Sequence, residues 1–544
     1  MIVRFRSRGL LLAAGLAVAS AGAQELGTIT FETSGAPVAQ QKFLEGVKAL
    51  HSFQFDEAAV AFREAKGLDA SFALAYWGEA MSYNHPLWAQ QDREAGQRVL
   101  ESLAPTLDGR LAKARLDKER ALLTAIDKLY YGSEDKLARD RAYSDYLAEA
   151  YARWPDDHEI ATSYALSLLG TVRPGDTGFR RQALAASIAG NVFAENPRHP
   201  GAAHFVIHAF DDPDHAPLGL PAARAYADIA PAAAHALHMP SHIFVQLGLW
   251  ADVVASNVAA YAAAVSVNER LKLAEGREDF HTLDWLAYGN LMLGRFDAAR
   301  ANVELARAAA ERNPTSAGIR DGWLAMRGRY LLETEQWEEI ALDGTEAHST
   351  HDTAHDAMPG MPLAQAGAGA WRFYAGVSAA KRGDAELAER FAADLGKLRE
   401  QVAASNEYGS RGVAIQEKEV AALAKLARGD HDAALALAKE AAEIEQTMAS
   451  PSGPPQPMKP ASELYGELLL AARRPADAIP AFEQALLRTP QRTPSLAGLA
   501  AAAAALGDQA RARRAYATLA AMPGAAADSR AVDTAKRWLA ANPN

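Results

Sequence analysis

Histidine is the residue type with the clearest chemical potential in this chain, because six of its 15 histidines lie between positions 204 and 242. His204 and His208 are four residues apart, so on a helix both imidazoles would project from one face. This spacing lets a single helix offer two nitrogen ligands to a metal ion. By itself it is a weak signal, because buried and hydrogen-bonded histidines show the same spacing.

The second histidine cluster consists of His235, His238 and His242, which also fall on one helical face. Pro240 lies inside this cluster. Proline removes a backbone donor and restricts the residue before it, so the helix is predicted either to kink at this point or to begin there. Either arrangement would turn His235 and His238 relative to His242.

Repeat register predicts one further neighbour for this cluster. Gly248 and Gly294 lie in equivalent turns of the repeat described below, and His235 and His281 each precede one of them by 13 residues. Stacked repeats place equivalent positions side by side, so we expect His281 next to His235. The same register places Asp284 beside His238.

The two clusters and His281 would then share one concave surface formed by adjacent helix pairs. Neutral imidazoles, joined by a carboxylate such as Asp211, Asp212 or Asp284, favour zinc or copper over calcium or magnesium. The alternative is that these histidines cap helices, bond carbonyl groups and pack between repeats. The predicted metal ligands are His204, His208, His235, His238, His242 and His281, with His85, Asp212 and Asp284 as ligand-binding candidates.

His85 is a candidate because Asn84-His85-Pro86 interrupts a helix between flanking aromatic residues. Aromatic side chains beside a polar turn can wall a binding site, although they pack helices more often. A further His/Met segment holds His348, His351 and His355, and it is predicted to bind copper only weakly.

Motifs for other chemistry are missing from the sequence. It has no glycine-rich phosphate loop, no G-x-S-x-G and no H-E-x-x-H, and it has no cysteine for a thiolate ligand, a nucleophile or a disulfide. Glu463 and Glu467 are four residues apart, which a solvated helix face explains without catalysis. A metal-dependent enzyme, most plausibly a zinc hydrolase, therefore stays open as the alternative to a binding protein.

The scaffold around these residues is predicted to be an all-α solenoid of helix-turn-helix repeats. Small and aromatic residues recur about 34 residues apart near both ends of the 544-residue chain, which is the period of the tetratricopeptide repeat (TPR). Between the ends, segments such as LGRFDAAR and RGDHDAAL place a glycine and a polar residue between two apolar-periodic helices.

Composition shifts divide the chain into six predicted segments. They are a signal peptide (1–23), an N-terminal TPR-like solenoid with the histidine site (24–343), a His/Met-containing loop (344–368), central TPR-like repeats (369–448), a proline-rich extended segment (449–461) and C-terminal TPR repeats (462–544).

The signal peptide is predicted from three arginines, an apolar run and the Ala21-Gly22-Ala23 cleavage site. Cleavage would leave a periplasmic or secreted chain, and no later segment is expected to be apolar enough for stable membrane insertion. The net charge of −11 becomes −14 without the three leader arginines, which makes nucleic acid an unsuitable partner.

Several segments together resemble a family of exported bacterial TPR proteins, and the resemblance spans nearly all of the mature chain. The segments include AYWGEAMSYNHP, HFVIHAFDDPDHA, IAPAAAHALHMPSHIF and GPPQPMKPASELYGELLLAARRPADAIPAFEQAL. The resemblance implies an α-solenoid and a shared histidine constellation that matches His85, His204, His208, His235, His238 and His242. It implies no reaction, and TPR proteins typically hold a peptide or protein partner in the concave groove. The first interpretation is therefore an exported scaffold that holds a protein, peptide or small ligand and carries a histidine-lined metal site.

Overall fold

The computed structural model describes residues 25–173, 175, 176, 178–340 and 363–543. The predicted signal peptide and His348, His351 and His355 lie outside these residues. The helices of the first half are α1 (Pro37–His51), α2 (Phe55–Leu68), α3 (Ala73–Met81), α4 (Arg93–Leu103), α5 (Leu107–Leu111), α6 (Asp117–Tyr131), α7 (Lys136–Arg153), α8 (His158–Gly170), α9 (Arg180–Glu195), α10 (Pro200–Ala209), α11 (Ala216–Ile229), α12 (Ala234–His238), α13 (Pro240–Gln246) and α14 (Trp250–Leu271).

The second half continues the same architecture of paired helices. Its helices are α15 (Glu278–Met292), α16 (Phe296–Arg312), α17 (Ala317–Glu333), α18 (Leu363–Lys381), α19 (Ala385–Ala403), α20 (Glu407–Ala427), α21 (His431–Gln446), α22 (Ala461–Ala471), α23 (Pro475–Arg488), α24 (Thr493–Leu506), α25 (Gln509–Ala520) and α26 (Arg530–Ala541). The exception is a two-stranded hairpin, β1 (Asn84–His85) and β2 (Gln90–Gln91), with a 3₁₀ turn between its strands.

The same packing device stacks the helices at both ends of the solenoid. Phe62 of α2 lies against Gly46 of α1 and Gly78 of α3, and Phe482 of α23 lies against Gly466 and Gly498 in the flanking helices. A Cβ atom on any of these glycines would come within 3.0 Å of the ring. Since each glycine lies 16 residues from its phenylalanine, one phenylalanine joins two successive repeats. The predicted all-α solenoid of TPR-like repeats is confirmed.

The turns between paired helices also follow the sequence prediction. Gly294, Gly383 and Gly429 have φ values of 67°, 87° and 82°, the left-handed conformation that ends a helix without a Cβ penalty. One boundary was wrong: α18 begins at Leu363, so the predicted 344–368 loop does not extend to residue 368. Because Pro362 directly precedes this helix, the chain can turn helical at the next residue.

The C-terminal repeats fold back onto α14 and α15 near the middle of the chain. Trp250 Nε1 donates to the Gln491 carbonyl (2.9 Å), and the Ala526 amide donates to the Leu293 carbonyl (2.8 Å). The proline-rich segment contains no helix over residues 449–460, but it bends repeatedly and does not run extended as predicted. Its Pro451 carbonyl accepts from Gln246 Nε2 (2.8 Å). These contacts cover the region around α13 and α15, which carry two of the predicted metal ligands, His242 and His281.

Helix α14 is long and apolar enough to cross a membrane by length and composition, so the expectation that no later segment would pass that test was wrong. In this fold α14 packs between α12, α13 and α15. Its Asn257 is fully buried and bonds a histidine of the candidate site. Alanine and valine therefore suit this helix to tight packing between neighbouring helices.

Candidate metal centre

The six predicted metal ligands converge from three successive units of the solenoid. Helix α10 carries His204 and His208, α12 and α13 carry the next three histidines, and α15 carries His281. Within this cluster the structure separates two groups of three rings, each with ligand nitrogens within 4.8 Å of one another. The first triad is His204, His208 and His235, and the second triad is His238, His242 and His281.

The first triad directs three unsatisfied nitrogens toward one point. The Nε2 atoms of His204, His208 and His235 are buried and have no hydrogen-bond partner. A buried polar atom without a partner costs about 1–3 kcal/mol. Three such atoms gathered in one place therefore need an explanation beyond packing.

The opposite edges of two of these rings are firmly held. His204 Nδ1 lies 2.6 Å from the His51 carbonyl oxygen, and His235 Nδ1 lies 3.2 Å from Glu278 Oε1. Because both partners are acceptors, each Nδ1 carries the proton and donates it. In the neutral rings, Nε2 of His204 and His235 is then a lone pair directed into the triad. Metal-binding imidazoles are usually held in this way.

The second triad has the same construction with different partners. His238 Nε2 lies 3.1 Å from His242 Nε2 and 2.8 Å from His281 Nε2. His242 Nδ1 lies 2.6 Å from Asp211 Oδ2, and His238 Nδ1 lies 2.7 Å from Asn257 Oδ1. The Asn257 amide cannot be reversed without loss, because its Nδ2 donates to the Val253 carbonyl (2.8 Å).

Burial favours the neutral form that metals bind in four of the ligand rings, His204, His208, His238 and His281. It lowers the pKa of His204, His208 and His238 well below the ordinary value of 6.5, and neighbouring histidines lower these pKa values further. Burial also lowers the pKa of His281 to about 4. Burial would raise the pKa of Glu278, but the nearby His235 outweighs it and lowers that pKa.

The helix breaks at Pro240, as predicted, but the predicted turn of His235 and His238 away from His242 was wrong, because His238 and His242 lie in the same triad. Helix α12 ends at His238, and α13 starts at Pro240, which occupies the first turn, where its missing N–H leaves no bond unmade. Met239 nevertheless keeps helical angles (φ −53°, ψ −34°). The chain stays close to helical across the break, so His238 and His242 meet in the second triad, whereas His235 lies in the first triad.

The register prediction was wrong by one helical turn. His281 lies against His238, with ring centroids 4.4 Å apart, and not beside His235 as expected. Glu278 takes the place beside His235. Both pairs are 43 residues apart, whereas Gly248 and Gly294 are 46 apart, so adjacent repeats are staggered by about one turn where the α12–α13 break shifts the chain.

The three ligand-binding candidates lie outside both triads. Asp212 accepts from His215 Nδ1 at 2.8 Å and thereby closes a local turn. Asp284 does not lie beside His238 as predicted, because it turns toward Arg329 (Oδ1 to Nε, 3.6 Å). His85 stacks on Phe55 with centroids 4.0 Å apart, so aromatic rings separate it from the metal ligands.

Aromatic side chains enclose the triads. Phe53 packs on all three rings of the first triad, nearest to His204 with centroids 4.3 Å apart, and its φ of 53° is uncommon for a residue other than glycine. Phe53 also lines a cavity that extends toward Trp77 and Tyr143. Trp285 packs against the second triad, 4.4 Å from the His242 ring.

A third group that combines histidine and carboxylate is structural. Glu159 accepts from His51 Nε2 (2.8 Å) and His199 Nε2 (3.2 Å). His199 Nδ1 also caps α10 by accepting from the Ala202 amide. Burial would raise the pKa of Glu159, but the two imidazoles outweigh it and hold this pKa at about 2. These atoms satisfy one another and fix the His51 carbonyl that holds His204.

Sequence reasoning missed several residues that orient the ligands. Glu278 precedes His281 by three residues, a spacing that places both on one face of α15, and it was not considered. Asn257 gave no signal, because a single asparagine within an alanine-rich helix has many explanations. Asp211 was named only as one of three possible carboxylates, and its role is to orient His242.

Comparisons with known proteins leave the site unassigned. No family model matches the chain, and no curated protein matches it. Similar solved structures include the human IFIT1 dimer with m7Gppp-AAAA (12% identity, TM-score 0.32, covering 94% of this chain and 92% of that chain). Yeast Tom70 (11% identity, TM-score 0.28, 93% and 95%) and the APC/C Cut9-Hcn1 hetero-tetramer (11% identity, TM-score 0.31, 93% and 97%) are also similar. At these identities and TM-scores the likeness carries no functional argument.

Proposed function

We propose that this protein binds a transition-metal ion, copper or zinc, through His204, His208 and His235. The observation that carries this proposal is the convergence of three buried Nε2 atoms that have no hydrogen-bond partner. Two of the three rings are already oriented through Nδ1 by the His51 carbonyl and Glu278. A bound ion would satisfy all three nitrogens at once.

The donor set selects the class of metal. Three neutral imidazoles suit zinc and copper, whereas calcium and magnesium prefer oxygen ligands. The nearest carboxylate, Glu278, is occupied with orienting His235. Three protein ligands also leave at least one coordination position for water or a reactant.

A metal-dependent enzyme is the second candidate, because three protein ligands leave a coordination position open. When bound, zinc or copper could activate a water molecule at that position.

The interpretation of the chain as a scaffold for a protein or peptide receives less support from this geometry. Its triads are largely buried, with His204 and His238 fully buried, and the proline-rich segment contacts α13. A partner could bind elsewhere on the solenoid.

Metal analysis of the untagged mature protein tests the proposal. We expect close to stoichiometric copper or zinc in the native protein and loss of the tightest-bound ion in a His208→Ala/His235→Ala variant. A His158→Ala/His215→Ala variant is the matched control, because these two rings lie outside both triads and pair with Glu195 and Asp212. Circular dichroism verifies that each variant is folded. Equal, sub-stoichiometric metal in all three proteins would overturn the proposal.

The proposal includes export to the periplasm or the exterior. It rests on the leader-like first 23 residues, which lie outside the described structure. N-terminal sequencing of protein from cell fractions tests it, and Gln24 is the expected first residue. Full-length protein confined to the cytoplasm would contradict it.

A further inference from the structure

We infer that the second triad binds a second metal ion next to the first, and that the two ions share one small anionic oxygen ligand such as hydroxide. This inference rests on the proposed function, because it needs the first triad to hold metal. It differs from that proposal by assigning two ions per chain and by naming what lies between them. The candidate ligands of the second ion are His238, His242 and His281.

The Nε2 lone pairs of His238 and His242 are directed at each other. His238 donates its Nδ1 proton to Asn257, and His242 donates its Nδ1 proton to Asp211. In the neutral rings both Nε2 atoms therefore present lone pairs, although they lie only 3.1 Å apart. Two lone pairs at this distance repel each other unless a cation lies near both.

A proton donated by His281 would remove only part of this repulsion. His281 Nε2 lies 2.8 Å from His238 Nε2 and can donate to it. His242 Nε2 would still face His238 without a proton. A divalent ion accepts all three lone pairs at once.

The two triads are directly adjacent. His235 and His238 lie three residues apart around α12 and belong to different triads, with ring centroids 6.2 Å apart. His208 and His242 bring the triads together on another side, with centroids 6.0 Å apart. In two-metal sites the ions lie roughly 3.5–4 Å apart, a span that one oxygen ligand can bridge.

The total charge of the two ions determines which kind of ligand they would share. Two divalent ions would bring four positive charges to an enclosed site whose six ligands are neutral. Of the carboxylates, Asp211 and Glu278 contact the ligand rings, and both do so through Nδ1. Neither carboxylate oxygen is directed between the triads by these bonds, so an external anion is needed to offset the remaining charge.

Copper titration with electron paramagnetic resonance tests this inference on the full mature chain. We expect two Cu²⁺ per chain and an integrated spin well below the copper content, because two Cu²⁺ ions that share an oxygen bridge couple their spins. A His238→Ala/His281→Ala variant should bind one Cu²⁺ with full spin intensity. An Asn257→Leu variant, which leaves every ligand in place, should weaken only the second equivalent.

The outcomes separate the two proposals. One Cu²⁺ per native chain with full spin would overturn the second site while the first site stands. Two Cu²⁺ per chain with full spin intensity would overturn the proposal that the two ions share a ligand. No copper or zinc in the native protein would overturn both. The His158→Ala/His215→Ala variant should match the native protein, and a loss of spin coupling there would assign the coupling to another site.

Discussion

His238 and His242 face each other through Nε2 atoms 3.1 Å apart, while Asn257 and Asp211 hold the Nδ1 proton of each ring. The arrangement fixes both rings with their lone pairs directed inward. It costs free energy in the absence of a cation, and such strain is typical of functional sites. The strongest experiments therefore alter the groups that hold these rings.

Asp211→Asn should weaken the second metal site. The variant keeps all six imidazoles but removes the carboxylate that orients His242, and loss of such a group typically lowers metal affinity 10–100-fold. Competition with a chromogenic chelator measures the change. Asp212→Asn is the matched control, because Asp212 bonds His215 outside both triads. Equal affinity in the two variants would contradict the role of Asp211.

Metal should stabilise the fold. An ion that binds only the native state adds about 2.7 kcal/mol at a free concentration 100 times its Kd. Differential scanning calorimetry should show a higher Tm with Cu²⁺ or Zn²⁺ and reversal by a chelator. The His208→Ala/His235→Ala variant should lose most of this shift. An equal shift in that variant would place the stabilising ion elsewhere.

Gly453→Ala should disturb the cover over the second triad. Gly453 lies so close to Trp285 that a side chain would collide with the indole ring, which itself packs 4.4 Å from His242. Overpacking of this kind costs about 1–3 kcal/mol. We expect a lower Tm and weaker binding of the second Cu²⁺. Gly412→Ala is the control, because a Cβ there meets nothing within 4 Å.

Glu159→Gln should remove an acid-sensitive part of the stability. The folded-state pKa of Glu159 is about 2, below the ordinary value of 4.5. The carboxylate therefore stabilises the fold fully above pH 4.5, and this contribution is lost as the pH falls toward 2. Its size is on the order of 3 kcal/mol. Urea unfolding should show a lower free energy for the variant at neutral pH and a smaller difference from the native protein near pH 2.

Arg492→Met should destabilise the contact between the C-terminal repeats and α17. Arg492 is 1% exposed and binds Glu463 (2.8 Å) and Glu333 (2.6 Å). Removing it leaves two buried carboxylates without a cationic partner on this side, which costs about 3–5 kcal/mol. Arg474→Met removes an exposed pair with Asp477 and should change the unfolding free energy by less than about 1 kcal/mol. Similar losses in both variants would contradict the buried network.

The ion pair between Arg492 and Glu463 also corrects a sequence interpretation. Glu463 and Glu467 were explained as a solvated helix face, but Glu463 is fully buried. Burial would raise the pKa of Glu463, and Arg492 with Lys459 outweighs it and holds that pKa at about 2. The sequence could not reveal this, because Arg492 lies 29 residues away and meets Glu463 only when successive repeats stack.

The sequence by itself determined the repeat architecture and the identity of the candidate metal ligands. Periodicity is a local property, so glycine and phenylalanine at fixed spacing specify helix pairs, and histidines four residues apart specify a shared helical face. Pro240 likewise specified a break in its own helix, because its effect acts on neighbouring residues.

Only the tertiary structure decided how the ligands are grouped and oriented. The stagger between α12 and α15 set His281 against His238, and it set Glu278 against His235. The proton positions depend on acceptors far along the chain, such as the His51 carbonyl that holds His204. A shift of one helical turn changes the partner of every ring, and local sequence patterns do not encode that shift.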